Sequence, residues 1–94
     1  MRTIERSSVF KRDYKRTKAN PRHGKEIDEL LTSVLVRLVQ DEVLPAANRD
    51  HNLSGDWAGY RECHLKPDLL LIYRKVDDEI LRLARLGTHS ELFR

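Results

Sequence analysis

The chain has 94 residues, too few for a second core of any size, and its single cysteine, Cys63, rules out a disulfide scaffold. No apolar run approaches the roughly 20 residues of a membrane-spanning helix, and the N-terminal MRTIERSSVFKRDYKR lacks the apolar segment of a secretory signal, so one cytoplasmic domain over residues 1–94 is expected. Eighteen Lys and Arg against fifteen Asp and Glu leave a net charge of +3. That charge is uneven: Arg2, Arg6, Lys11, Arg12, Lys15, Arg16, Lys18, Arg22 and Lys25 crowd the first 25 residues, where only Glu5 and Asp13 oppose them. Such a cluster fits a polyanionic partner, but charge alone favours the plainer reading of a solvated helix face.

Arg2–Arg6 reads as a short strand centred on Ile4. Ser7 or Ser8 can cap the helix that follows. There Val9, Phe10, Tyr14 and Thr17 recur at helical spacing, up to Asn20-Pro21, where proline disfavours a helical residue before it. After Gly24 the apolar positions Ile27, Leu30, Leu31, Val34, Leu35, Leu38 and Val39 alternate steps of three and one, the stripe of an amphipathic helix over Lys25–Gln40. Asp41–Asp56, with Pro45 and Gly55, reads as a long connection, a kind that is usually functional or mobile. Three strands are then expected: Trp57–Leu65, Asp68–Val76 and Glu79–Leu86. Short turns at Lys66-Pro67 and Asp77-Asp78 make them an antiparallel meander. Thr88 can cap a last helical turn over Ser90–Phe93. The order β-α-α-β-β-β implies an α+β fold, two helices packed on one face of a small, mainly antiparallel sheet, with the first strand joining at its edge.

That meander brings chemistry to one rim. The end of the first meander strand, the start of the second and the end of the third share a sheet edge, which would collect His64, Asp68 and His89. The long loop could fold His51 over them. Tyr60, Glu62 and His64 alternate onto one face, and residues of that polarity are expected on an exposed concave surface, not beneath helices. Arg82 and Arg85 should point to opposite faces, with Arg85 near enough the strand end to reach the rim. His23 reads as a surface residue of the interhelical turn. Trp57 and Tyr60 read as packing residues and Cys63 as a small core residue. Phe93 either anchors the terminal turn or stacks on a base.

No nucleophile elbow is present, and Gly24, Gly55, Gly59 and Gly87 are too isolated to cradle a phosphate. A zinc set of His51, His64, His89 and Cys63 lacks ligand spacing, and Cys63 and His64 face opposite ways, so no metal is expected. Imidazoles, carboxylates and arginines suit acid–base cleavage of RNA. The nucleophile there is the substrate's own 2′-hydroxyl, so no cofactor is needed, and histidine serves both proton transfers because its ordinary pKa lies near neutrality.

The string DHNLSGDWAGYRECHLKPD from Asp50 to Asp68, followed by Leu71-Ile72-Tyr73 and by Gly87-Thr88-His89 with Leu92-Phe93, resembles the signature of the YafQ-type toxins of the RelE/ParE superfamily. Over residues 1–49 the likeness rests on element order and helix pattern. The resemblance implies a RelE-like fold and a small ribonuclease that cuts messenger RNA in the ribosomal A site. It also implies an antitoxin partner that blocks the activity. By motif, His51, His64, Asp68 and His89 are the implied catalytic set, with Phe93 orienting the base. His51 and His89 would carry the protons, and His64 and Asp68 would position the phosphate. Glu62 stands where the family often has Asp. With Phe93, the residues Glu62, Arg82 and Arg85 are the expected substrate contacts. A non-catalytic inhibitor of a protein such as DNA gyrase, from the same superfamily, is an alternative, and that branch lacks the histidines. A plain nucleic-acid-binding module is a third.

Overall fold

The computed structural model describes residues 1–93. Its elements run β1 (Thr3–Arg6), α1 (Ser8–Ala19), α2 (Ile27–Leu38), β2 (His51–Asn52), β3 (Arg61–Lys66), β4 (Leu69–Val76), β5 (Ile80–Gly87) and α3 (His89–Leu92). The sheet has the order β1-β5-β4-β3-β2. Only the β1–β5 pair is parallel. The expected α+β architecture and the edge position of the first strand hold. No helix among the described residues is long and apolar enough to cross a membrane.

Local chemistry sets the element ends. Ser7 accepts a hydrogen bond from the Phe10 amide at 2.9 Å and opens α1. At Gly24, which carries the chain between the helices, a Cβ would stand 2.1 Å from the Lys18 carbonyl oxygen, so only glycine fits there. Thr88 closes a capping box with Glu91 and starts α3. This helix begins one residue earlier than expected, so His89 is its first residue.

The helix stripe packs as read. Phe10 of α1 and Ile27, Leu31, Val34 and Leu38 of α2 bury against Cys63, Leu65, Leu69, Leu71, Tyr73, Leu81, Leu83 and Leu86 of the sheet. The opposite sheet face carries a smaller cluster of Leu70, Ile72, Ala84 and Leu92, edged by Leu53, Trp57 and Tyr60.

Four further expectations are corrected. The long connection is not structureless: it contains β2, which pairs His51 with Glu62 and Asn52 with Arg61, giving five strands instead of four. The strand expected from Trp57 begins at Arg61, because Gly55–Trp57 turns as a 3-10 helix and both Gly55 and Gly59 have positive φ (65° and 93°). The helix expected over residues 25–40 spans Ile27–Leu38, as residues on either side lie in turns. Finally, a bulge sets Leu83 opposite Tyr73 but Arg85 opposite Ile72, so strict alternation of Arg82 and Arg85 is lost.

Candidate active site

Glu62 is the hub. It lies on β3, on the sheet face away from α1 and α2, and is only 4% exposed. β2 brings His51 directly across from it, with His51 Nε2 at 3.1 Å from Glu62 Oε2. His64, two residues along the same strand, has its Nε2 at 3.9 Å from Glu62 Oε1. His89, at the head of α3 just beyond the end of β5, brings its Nε2 to 3.8 Å from the same oxygen. The ring centres stand 6.5 Å apart for His51 and His64, and 5.8 Å for His64 and His89.

Each imidazole has its other nitrogen on an oxygen. Nδ1 of His51 lies 2.7 Å from the Arg49 carbonyl, and Nδ1 of His64 lies 3.3 Å from the Pro67 carbonyl. Nδ1 of His89 lies 3.3 Å from the Asp68 carboxylate. Carbonyls and ionised carboxylates only accept, so Nδ1 carries a proton in all three rings and Nε2 is the nitrogen that works inside the cluster. Asp68 also accepts from the His89 backbone N–H at 3.2 Å. That backbone bond, reinforced by the His89 side chain and the charge of Arg22, holds the Asp68 carboxyl below the usual carboxylate range.

The expected rim of His51, His64, Asp68 and His89 therefore forms. The expectation of an open polar face is corrected in part. His51 and His89 are half exposed, but Glu62 and His64 are buried. Asn48 of the preceding turn donates to the His64 carbonyl at 2.8 Å. Glu62 Oε1 is buried without a hydrogen-bond partner.

Phe93 is partly exposed with its ring 6.0 Å from His89, which places it at the mouth. Arg82 is bound to Glu5 at 2.6 Å. Arg85 is bound to Asp13 of α1 at 2.8 Å. Any contact of these arginines with substrate means exchanging a carboxylate for a phosphate. Trp57 and Tyr60 stack edge to face at 5.2 Å, as packing residues do. His23 sits half-buried in the interhelical turn with Lys66 Nζ at 3.5 Å. Cys63 is fully buried in the helix-side core, where burial pushes its thiol up to about 12, so it is not a nucleophile.

Glu62, His64 and His89 also bring a carboxylate oxygen and two imidazole nitrogens within 4.8 Å of one another. The donor set suits Cu²⁺ or Zn²⁺, and an unpartnered buried carboxylate oxygen fits a cation. Sequence spacing does not reveal this set because it is assembled across strands.

A sequence model of a family of bacterial toxins from type II toxin–antitoxin systems, YafQ, matches residues 2–94. The mRNA interferase toxin YafQ of Escherichia coli strain K12 is 41% identical over 92 residues, 98% of this chain and 96% of that one. Escherichia coli YafQ, solved in complex with DinJ, superposes with a TM-score of 0.80 at 35% identity, covering both chains in full. A metal-bound toxin from Helicobacter pylori superposes at 0.83 with 42% identity, covering 99% of this chain and all of that one.

Proposed function

The chain belongs to the YafQ family of type II toxin–antitoxin toxins, and from that membership and the imidazole cluster we propose that it is an endoribonuclease that cuts messenger RNA in the ribosomal A site and so inhibits translation. The observation that carries the reading is the convergence of three Nε2 atoms on one buried carboxylate at an accessible rim.

The nucleophile belongs to the substrate. The ribose 2′-oxygen attacks the neighbouring phosphorus, the bond to the 5′-oxygen breaks, and a cyclic phosphate and a free 5′-hydroxyl result. One proton must leave the 2′-hydroxyl and another must reach the departing oxygen. His51 and His89 serve these transfers, because both rings are half exposed and each has its Nδ1 tied to an oxygen. Glu62 balances the charge that develops on the rings. Asp68 fixes the orientation of His89, while His64 and the nearby charge of Arg22 meet the phosphate. Phe93 offers a face for the base beside the scissile linkage. A Cu²⁺ or Zn²⁺ ion on Glu62, His64 and His89 would occupy nitrogens that this reaction needs and would therefore inhibit it.

The partners in this reading are an antitoxin, as DinJ is for Escherichia coli YafQ, and the ribosome with its messenger, in the cytoplasm. An inhibitor of DNA gyrase would have no use for the cluster. The test is inducible expression with primer-extension mapping of transcripts, comparing wild type with His89→Ala. Growth arrest and cut transcripts are expected for the wild type only, with antitoxin binding kept in both. Equal cleavage by the variant would overturn the assignment.

A further inference from the structure

Asp50, Arg61 and Tyr73 belong to the Asp50–Tyr73 signature but take no part in the proton transfers. They form one network. Arg61 donates to Asp50 Oδ2 at 2.9 Å and to Asn52 Oδ1 at 2.6 Å. The Tyr73 hydroxyl donates to Asp50 Oδ1 at 2.6 Å, and Arg61 Nε reaches that hydroxyl at 3.3 Å. Asn52, Arg61 and Tyr73 are register partners across β2, β3 and β4. Asp50 and Asn52 are the two chain neighbours of His51, so one guanidinium bonds the side chains on both sides of that histidine. Its imidazole projects the other way, onto Glu62, which is its own register partner.

The strand that carries His51 needs such a grip. β2 has two residues, and both are exposed. A pair that short does not hold a register by itself. Tyr73, by contrast, is 1% exposed in the main core, so the network ties a surface strand to the most rigid part of the sheet.

We propose that Asp50, Arg61 and Tyr73 are positioning residues for the reaction: they fix β2 so that His51 Nε2 faces the cluster. This rests on the proton-transfer reading of His51. A flexible imidazole at the same place would reach the productive geometry only part of the time, and an error near 1 Å can cost about 100-fold in rate. Lysine cannot replace Arg61, because a single ammonium lacks the planar fork that bonds Asp50 and Asn52 together.

The experiment compares Arg61→Lys, Tyr73→Phe, His51→Gln and the double variant Arg61→Lys/His51→Gln. It measures single-turnover cleavage of a ribosome-bound message, thermal midpoints, and the imidazole ¹⁵N resonances of His51. Arg61→Lys is expected to slow cleavage roughly 10- to 100-fold, to shift and broaden the His51 resonances, and to add no further loss when His51 is already Gln. Tyr73→Phe is expected to act in the same direction and keeps the core filled, so it decides the matter if Arg61→Lys folds poorly. Wild-type rates in both single variants, or losses that multiply in the double variant, would overturn the positioning role. If His51→Gln cuts normally, the proton-transfer reading of His51 falls instead. The resonances then still decide whether the network orients the ring, and unchanged His51 signals in Arg61→Lys and Tyr73→Phe would end that claim too.

Discussion

Burying a carboxylate among imidazoles sets a counter-charge beside each ring, and Glu62 occupies that place with one oxygen on His51 and the other, which has no hydrogen-bond partner, 3.9 Å from His64 and 3.8 Å from His89. Glu62→Gln keeps the side-chain volume and removes the charge. Single-turnover cleavage is expected to fall about 100-fold, the size of effect seen when one preorganised electrostatic partner is lost, while antitoxin binding is retained. Cleavage within a few fold of wild type would reduce Glu62 to a packing role. If two imidazoles move the protons, the rate should also trace a bell between roughly pH 5 and 9, and a flat profile would count against that pairing. At this scale the sequence carried a good part of the site. The meander predicts that His64, Asp68 and His89 meet, because strand ends on one edge must meet. The burial of Glu62 is not legible, since its cross-strand neighbour His51 comes from a two-residue strand that the sequence does not announce. Asp50, Arg61 and Tyr73 stood in the signature string, but their bonds to one another come from register, which composition and spacing do not reveal.

The helix–sheet junction depends on one acid. β1 stops at Arg6, and β5 continues to Gly87 with that edge unpaired. α1 takes over the edge. Ser7 donates to the Ala84 carbonyl at 2.9 Å, Arg16 donates to the Leu86 carbonyl at 3.2 Å, and the Leu86 amide donates to Asp13 at 3.0 Å. Asp13 is 2% exposed and also holds Arg85 and Arg16. Burial by itself would raise its pKa. The hydrogen bonds from Arg85 and Leu86 and the charges of Arg85 and Arg16 outweigh burial and hold the carboxyl below its ordinary 3.8. A depressed carboxyl contributes stability that is fully present above its unfolded value and is lost as pH falls through the folded one. Acid unfolding should therefore steepen below about pH 4, and Asp13→Asn should flatten that limb. Asp13→Ala, which strands Arg85, should cost about 3–5 kcal/mol by denaturant titration. An unchanged acid limb in Asp13→Asn would show that other carboxyls dominate. The elements themselves were legible where periodicity had room to repeat. The seven apolar positions from Ile27 to Val39 locate α2 to within two residues at either end. The β3 start is hidden in the sequence because Trp57 and Tyr60 have strand-like side chains, yet the glycines around them turn the chain. Nothing in the sequence marked the β5 bulge, which sets Arg85 opposite Ile72 and returns Leu86 to the helix-side core.

At the scale of the whole molecule, the basic N-terminus resolves into charges that are used and charges that are free. Arg16 is paired with Asp13 and Glu91, and Lys18 is paired with Asp28. Lys11, Arg12 and Lys15 are exposed on α1 and make no ion pair among the described residues. The Arg16–Glu91 bridge joins α1 to α3, so the helix bearing these cations is tied to the one that begins at His89. In the proposed reaction, free cations arranged this way should release counterions from RNA without reading its sequence, and they should also speed association with an acidic antitoxin segment. Replacing all three with Gln leaves every bond of the cluster in place. The slope of log association constant against log salt for RNA should then flatten by about 2 to 3. Cleavage by enzyme already bound at low salt should change little. Affinity for a ribosome-bound message at physiological salt should drop by at least an order of magnitude, because about one phosphate contact is lost per residue. A salt slope equal to the wild type's would mean that α1 faces solvent in the complex, and the excess charge of the first 25 residues would then be the ordinary surface of a small basic domain.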